Sequence, residues 1–156
     1  MPKTSHILMM NVDNEFGVLT RITALIRRAG LNIKGLSVAE TLSPSVSRLT
    51  VNVETQGFEM SEVAGRIRRL NCVRELMICG GSDTLQQEMA LILCRREDPL
   101  WQGRSILWED GERVCFQLTD SPAALDRFVA DNAPHILDVS RSGAVTIAIG
   151  KGEDHQ

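Results

Sequence analysis

A short polar turn between two apolar segments holds the residues of this chain that are best suited to bind a small ligand. Asn14 and Gly17 lie in the turn, and an amphipathic segment with Val18 and Leu19 follows directly. The first turn of a helix leaves backbone N–H groups without partners, and these groups favour a carboxylate. Because Gly17 has no Cβ, a ligand can approach the backbone closely there. No acid–base pair or metal-ligand cluster accompanies the turn in the sequence, so the pattern predicts binding of a small anion and not catalysis.

A second candidate position opens the next apolar segment, where Asn32 and Ile33 follow the end of the amphipathic segment. The amides of Asn14 and Asn32 offer both donors and acceptors, which suits them to orient an ammonium group. The side chains of Val18, Leu19 and Ile33 would enclose an aliphatic group, and full burial of a valine side chain is worth about 1.5–3 kcal/mol. Together with the turn, these positions predict a site for a free amino acid.

Purely structural interpretations of these residues stay open. Asn14 is also typical of a turn in which the side chain bonds to its own backbone. Gly17 is also explained if the turn needs a backbone conformation that only glycine adopts easily. Leu19 and Ile33, each taken alone, are typical of core residues, and Asn32 is as compatible with a simple strand start as with ligand binding.

Hydrophobic periodicity predicts the elements that position these residues. Segments with apolar residues at helical spacing alternate with shorter runs rich in Val, Ile, Leu and Thr. The predicted order is strand, helix, two strands, helix and strand, at residues 6–12, 17–29, 32–40, 46–54, 59–70 and 72–79. This βαββαβ order predicts an α+β, ferredoxin-like fold, in which both helices cover one face of a four-stranded antiparallel sheet.

A second and smaller α+β unit is predicted in the remainder of the chain. Ser121-Pro122 is an N-cap followed by proline at the first helical position, and the helix runs to about residue 131. The strands of this unit are predicted at residues 86–94, 104–108, 112–118, 135–140 and 144–149. Only about ten residues separate the first two strands, whereas a parallel crossover normally needs a dozen or more.

This short connection leaves two alternatives for the second unit. Either its first helix is reduced to one turn around Pro99-Leu100-Trp101, or its first strands connect antiparallel. We predict two domains, at residues 4–81 and 84–150, in which the second is partly truncated because its first helix is short or missing.

Composition narrows the classes of protein to which the chain can belong. The 156 residues are 43% hydrophobic and 24% charged, with a formal net charge of −3. A negative net charge argues against binding to nucleic acid, and no apolar run reaches the ~20 residues that span a bilayer. The sequence shows no signal-peptide pattern, and its four cysteines form no CxxC pair. We therefore predict a cytoplasmic protein with reduced thiols, no metal site and no contact with membranes.

Several segments resemble the ACT domain of the regulatory (small) subunit of acetolactate synthase, also called acetohydroxyacid synthase. The resembling segments are Asn14-Glu15-Phe16-Gly17-Val18-Leu19-Thr20-Arg21, Gly30-Leu31-Asn32-Ile33 and Ser47-Arg48-Leu49-Thr50. Val139-Ser140-Arg141-Ser142-Gly143 is similar to the closing strand of that family. The resemblance covers residues 6–80 well and residues 86–150 in patches.

The resemblance implies a non-catalytic regulatory subunit in branched-chain amino acid biosynthesis. Such a subunit binds and activates a large catalytic subunit, which carries thiamine diphosphate, Mg and FAD, while the small subunit has no cofactor of its own. It also confers feedback inhibition by a branched-chain amino acid, usually valine. Two ACT domains pair as a homodimer with the effector at their interface. The residues implied to touch the effector are Asn14, Gly17, Val18 and Leu19 of one copy with Asn32 and Ile33 of the other.

One departure from the family pattern bears on regulation. The second domain of the family has a helix after its first strand, and this chain has shortened or lost that helix. A chain of this kind could activate its partner while responding weakly to valine.

Three other functions stand as alternatives. The chain could be a stand-alone tandem ACT-type amino-acid sensor that regulates another enzyme or transcription. RNA binding by a ferredoxin-like sheet needs aromatic residues on its strands, and the predicted strands of the first domain contain none. A small enzyme would need a base–nucleophile pair, and the turn offers only Glu15 beside Asn14.

Overall fold

The computed structural model of the protein describes residues 3–57, 59–80 and 83–150. Contacts within these residues form two compact units, and the second unit comprises residues 86–144. The first comprises the described residues up to 85 together with those from 145 onward. The last strand therefore groups with the first unit, whereas we predicted it within the carboxy-terminal domain. Residues 81 and 82, at the predicted domain boundary, lie outside the described residues.

The first sheet is antiparallel and has four strands. The elements of this part are β1 (Lys3–Asp13), α1 (Val18–Arg28), β2 (Asn32–Glu40), β3 (Val46–Gln56), α2 (Met60–Arg68) and β4 (Val73–Cys79). The strand order is β2-β3-β1-β4, and every neighbouring pair is antiparallel. This is the arrangement that the βαββαβ order predicted, so the ferredoxin-like fold class is confirmed.

The core of this part lies between the sheet and its two helices. Leu8 and Met10 on β1 are fully buried, as are Ile22 and Ile26 on α1. These residues recur at every second position of the strand and every fourth position of the helix, which places them on one face of each element. Gly30 ends α1 with a φ of 77°, the left-handed conformation expected of a glycine after a helix.

The second sheet repeats the strand order of the first. The elements here are β5 (Thr84–Arg95), β6 (Ser105–Glu109), β7 (Arg113–Asp120), α3 (Pro122–Asn132), β8 (Ile136–Arg141) and β9 (Val145–Ala148). The order β6-β7-β5-β8 corresponds element by element to β2-β3-β1-β4, and β9 pairs with β5. Ser121 caps α3 as predicted, because its side chain accepts a hydrogen bond from the backbone N–H of Ala124 at 3.3 Å.

The connection between β5 and β6 contains a short 3₁₀ turn at Pro99–Trp101. Both strands run antiparallel to β7, so they are parallel to each other. The alternative with a helix reduced to one turn is therefore confirmed. Arg104, at the end of this connection, lies over the rings of Phe116 and Phe128 at 5.7 and 5.0 Å from their centroids. This side chain covers aromatic core that the shortened connection would otherwise leave open.

The ends of several elements differ from the predicted ones by up to three residues. β1 begins at Lys3 and not at residue 6, because its polar start pairs with the end of β3, where Lys3 lies opposite Gln56. α2 covers Met60–Arg68 where we predicted residues 59–70. β4 begins at Val73 and not at residue 72.

Candidate ligand-binding site

Asn14 fastens the polar turn to the loop between β2 and β3. Its backbone N–H donates to the carbonyl oxygen of Ser45 at 2.9 Å. Its Nδ2 donates to the carbonyl oxygen of Pro44 at 2.9 Å and to Oε1 of Glu40 at 3.2 Å. The side chain thus bonds to distant residues and not to its own backbone, which corrects the structural alternative considered for Asn14. These contacts fix the direction of the amide and leave its Oδ1 as the acceptor that a ligand can use.

The first turn of α1 presents backbone donors to solvent. Gly17 precedes the helix with a φ of 80°, and no side chain caps the helix start. Val18 N–H donates to the Glu15 carbonyl oxygen at 3.4 Å. Among the described residues, the N–H groups of Leu19 and Thr20 find no acceptor. The start of α1 therefore offers two directed donors and the positive end of the helix dipole to an anion.

The backbone conformation explains why a glycine occupies position 17. A Cβ added to Gly17 would meet no atom within 4 Å, so packing does not demand glycine there. The φ of 80° demands glycine instead, because residues with a side chain are strained in that backbone conformation. The same open space leaves room for a ligand in front of the turn.

The side chains of Val18 and Leu19, neighbours in sequence, face different directions. The Val18 side chain is 3% exposed and belongs to the core. Leu19 is 41% exposed, and Phe16 in the preceding turn is fully exposed. Successive residues of a helix are rotated by about 100°, so the two side chains cannot both point at one ligand. The core interpretation of Leu19 is wrong, while Val18 can serve a ligand at this turn only through its backbone.

Asn32 and Ile33 lie at the other end of α1. They line a surface groove of about 690 Å³, whose other walls include Thr23 and Arg27 of α1. α1 has 11 residues, so at about 1.5 Å per residue its two ends lie roughly 16 Å apart. Within one chain, Asn32 and Ile33 are therefore separated from the turn that holds Asn14.

Two residues near the turn were missed by the sequence reasoning. Glu40, at the end of β2, is exposed and bonds to Asn14, which lies 26 positions earlier in the sequence. Phe16 lies within the turn, but its full exposure follows from the observed loop and not from its residue type. Glu40 adds a carboxylate to the site, and this carboxylate is a natural partner for an ammonium group.

Arg48 lies in one of the segments that carry the family resemblance, and its contacts are structural. Its Nε donates to Oδ1 of Asn11 at 2.8 Å, and Asn11 Nδ2 donates to Glu75 Oε2 at 2.7 Å. Arg48 Nη1 also donates to the carbonyl oxygen of Thr146 at 3.5 Å. This chain of hydrogen bonds joins β3, β1 and β4 to the last strand.

Metal-ligating clusters and membrane-spanning helices are absent from the described residues. No group of three or more His, Cys, Asp or Glu side chains there is arranged to hold a metal ion. In the same residues, no helix has both the length and the apolar character needed to cross a membrane.

Comparison with known proteins identifies the family of the first sheet. Residues 8–75 match the sequence model of the family described as AHAS small subunit-like ACT domain, where AHAS is acetohydroxyacid synthase. The matched segment contains every residue of the predicted effector site. Residues 8–75 are therefore an ACT domain of this kind, and the resemblance predicted from the sequence is confirmed.

Relatives extend the similarity to most of the chain. The acetolactate synthase small subunit of Buchnera aphidicola is 26% identical over 157 residues, which cover 93% of this chain and 99% of the relative. That of Aquifex aeolicus is 39% identical over 89 residues, which cover 56% of this chain and 45% of the relative. These relatives are small subunits of an enzyme, so the prediction that the chain is a regulatory subunit and not itself catalytic is confirmed.

A solved structure supports the fold of both units. The acetolactate synthase small subunit of Thermotoga maritima superposes with a TM-score of 0.78 and 21% identity, covering 95% of this chain and 99% of that one. At this level of identity, the match shows that the two chains share a fold.

Proposed function

We propose, from the premise that residues 8–75 form an AHAS small subunit-like ACT domain, that this chain regulates an acetolactate synthase. It binds and activates the thiamine-diphosphate-dependent large subunit and makes the complex sensitive to feedback inhibition by a branched-chain amino acid, valine. The large subunit supplies thiamine diphosphate, Mg and FAD, and this chain supplies no cofactor. The observation that carries the effector site is the start of α1, where two N–H groups without described acceptors lie beside the fixed amide of Asn14.

The chemistry of the turn suits a free amino acid. The N–H groups of Leu19 and Thr20 would bind its carboxylate, and the helix dipole adds about 0.3–1 kcal/mol at an exposed site. The Oδ1 of Asn14 and the carboxylate of Glu40 would accept hydrogen bonds from its ammonium group. The exposed face of Leu19 would contact its side chain.

A homodimer through β2 would complete this site. β2 is an edge strand of the first sheet, so its outer backbone groups can pair with a second copy. Two copies paired antiparallel about Leu36, the middle residue of β2, would place Asn32 opposite Glu40 of the partner subunit. Because Glu40 bonds to Asn14, this pairing would bring Asn32 and Ile33 to the turn of the other copy. The separation of the predicted residues within one chain thus supports a shared site.

Substitution of Gly17 tests the effector site directly. Gly17→Asp would place a side chain and a negative charge where the carboxylate binds. Isothermal titration of the full chain with valine, leucine and isoleucine should then show binding weakened by about tenfold or more, which corresponds to about 1.4 kcal/mol. Gly103→Asp is the matched control, because Gly103 has a φ of 73° and equally open space but lies in the second unit. Equal affinity in wild type and Gly17→Asp would remove the site assignment.

Reconstitution tests the partner. The chain is mixed with the candidate large subunit, and acetolactate formation is measured as each branched-chain amino acid is added. The proposal predicts a higher rate in the complex than for the large subunit alone, and inhibition by valine that Gly17→Asp abolishes. A large subunit with an unchanged rate, and no complex in a pull-down, would contradict the proposal.

A stand-alone tandem sensor is the second candidate. The repeated strand order of the two sheets is the observation that favours it, because two ACT-like units in one chain could act together on another enzyme or on transcription. Amino-acid binding without association with a thiamine-diphosphate enzyme would support this alternative.

We also place the subunit in the cytoplasm, as part of this proposal. All four cysteines are free, and Cys72 and Cys94 among them are buried. Free thiols support a reducing compartment.

A further inference from the structure

The second unit repeats a backbone hydrogen bond that holds the turn before α1 in the first unit. In the first unit, the backbone N–H that follows β1, that of Asn14, donates to the Ser45 carbonyl oxygen at 2.9 Å. In the second, the backbone N–H that follows β5, that of Arg96, donates to the Glu112 carbonyl oxygen at 2.8 Å. Ser45 and Glu112 both lie in the hairpin loop that precedes the third strand of their sheet. Arg96 therefore occupies the position that Asn14 occupies in the first unit.

The side-chain contacts and the strand register repeat as well. Arg96 forms an ion pair with Glu109 at the end of β6, just as Asn14 bonds to Glu40 at the end of β2. β1 has a register irregularity with β4 between its third-last and second-last residues, and β5 has one with β8 at the same place. The backbone contacts at this end of the second sheet thus match those of the turn before α1, and Arg96 stands at the position of Asn14.

A cavity of about 470 Å³ opens at this end of the second sheet. Its walls are the end of β5, the hairpin loop between β6 and β7, and one apolar side chain from β8. The lining residues that matter for its chemistry are Arg95, Arg96, Glu97, Glu112, Arg113 and Leu137. A volume of this size accommodates a small organic molecule.

Two of the three guanidinium groups in this cavity already have carboxylate partners. Arg96 is paired with Glu109, and Arg113 donates from Nε and Nη2 to Oδ2 of Asp110 at 3.1 and 2.8 Å. Arg113 also lies over the ring of Trp108, 5.4 Å from its centroid. These contacts hold the two side chains in place and balance their charges.

Three charged groups of the lining make no described side-chain contact. They are the guanidinium of Arg95 and the carboxylates of Glu97 and Glu112, all on exposed residues. One unpaired positive group beside two unpaired negative groups suits a ligand that carries both charges. A phosphate or a dicarboxylate would bring its negative charges against Glu97 and Glu112, which is unfavourable.

We propose that this cavity is a second binding site for a free α-amino acid, distinct from the site at the start of α1. The ligand carboxylate would bind the guanidinium of Arg95 and the guanidinium N–H groups of Arg96 that do not contact Glu109. Its ammonium group would bind the carboxylates of Glu97 and Glu112. Leu137, which is 43% exposed, would contact an aliphatic side chain. This proposal rests on the geometry of the second unit and does not require that the first site bind its effector.

The test uses the full chain and amide NMR, which reports each site separately. L-valine and L-leucine are titrated alongside isovalerate, which lacks the ammonium group, and isobutylamine, which lacks the carboxylate. Saturable shifts are expected at the amides of Glu97, Gly111 and Glu112 with the amino acids. Because each ligand charge makes its own hydrogen-bonded ion pairs, either half-charged analogue should bind about tenfold more weakly or worse.

Variants identify the residues responsible. Arg95→Gln should weaken the binding seen at these amides by about tenfold or more and leave the shifts at Leu19 and Thr20 unchanged. Arg127→Gln, an exposed arginine of α3 in the same unit, is the matched control and should change neither. The amide spectrum also verifies that each variant is folded.

The outcomes separate this inference from the proposed function. Shifts confined to the start of α1 would overturn the second site and leave the proposed function standing. Shifts confined to the cavity would support the second site and contradict the effector site at the start of α1. Isovalerate or inorganic phosphate binding as tightly as L-valine, or equal affinity in Arg95→Gln, would also overturn the proposal of an amino-acid site here.

Discussion

The amide Nδ2 of Asn14 donates to the carboxylate of Glu40 across 3.2 Å, and this contact joins the turn before α1 to the end of β2. The two residues lie far apart in sequence, so the fold alone creates the pair. The contact also brings a carboxylate to the proposed effector site. Its consequence is that charge at position 40 should influence how an amino acid binds at the turn.

Glu40→Gln is the first prediction. The amide keeps the hydrogen bond to Asn14 but removes the charge opposite the ligand ammonium, so affinity for valine should fall by about three- to tenfold. Stability should change by less than about 0.5 kcal/mol, because Glu40 is exposed. Isothermal titration and urea unfolding measure the two effects. Glu15→Gln removes a charge from the same turn without a described contact, and a similar loss of affinity in that variant would assign the effect to general electrostatics.

A pair of glycine substitutions isolates the role of backbone conformation at the turn. Gly17→Ala should destabilise the protein by about 1–2 kcal/mol, because Gly17 has a φ of 80° and alanine is strained there. Gly65→Ala, in α2, should stabilise it by about 0.5–1 kcal/mol, because alanine favours the helix and its Cβ meets no atom within 4 Å. Urea unfolding of both variants tests the difference. Equal effects of the two changes would show that φ does not govern position 17.

Local signals in the sequence were sufficient for much of the fold. Gly30, the N-cap Ser121 and the turn at residues 42–45 each mark a boundary through the chemistry of a few neighbouring residues, and the structure has a boundary at each. The polar start of β1 was missed because Lys3 is held in the strand by pairing with Gln56, which no local pattern reveals. Pairing across the sheet decides such ends.

The candidate site was predictable only in part, for the same reason. The turn residues Asn14 and Gly17 could be predicted from their residue types and their position before a helix. Glu40 could not be predicted, because its carboxylate reaches Asn14 only after β2 and β3 have folded back. Whether Val18 or Leu19 faces the core depends on how α1 is rotated about its axis when it packs, which the residue types alone left open.

Arg141 in the second unit is predicted to be essential for stability. Its Nε and Nη2 donate to the two carboxylate oxygens of Glu88 at 2.9 and 2.7 Å, and Glu88 is only 6% exposed. The arginine also pairs with Asp126, and these contacts raise the pKa of its guanidinium above the usual value. Arg141→Ala would leave the buried Glu88 without a partner.

We expect Arg141→Ala to lose about 3–5 kcal/mol of unfolding free energy, because one buried charge remains uncompensated. The variant Glu88→Gln with Arg141→Met removes both charges and should recover a large part of the loss. Urea unfolding measures both. Arg127→Gln, which removes an exposed arginine, is the control and should change stability by less than about 0.5 kcal/mol. A loss of that small size in Arg141→Ala would contradict the assignment of this pair as a structural support.

Asp110 should keep its charge in strongly acidic solution. The side-chain hydrogen bonds from Arg113, followed by those from the backbone N–H groups of Glu112 and Arg113, lower its pKa from 3.8 to about 2. Because the pKa is lower in the folded state, the ionised carboxylate contributes its full stabilisation above pH 3.8. This contribution is lost as the pH falls through about 2.

Carbon-detected NMR of the Asp110 carboxyl group measures this titration. The midpoint should lie near pH 2 in the wild type and move toward 3.8 in Arg113→Gln, although the two backbone donors remain in that variant. Arg127→Gln is again the control and should leave the midpoint in place. If Arg113→Gln titrates like the wild type, the guanidinium of Arg113 does not hold the charge of Asp110. Arg113 would then also be less firmly fixed at the wall of the second cavity than the two hydrogen bonds indicate.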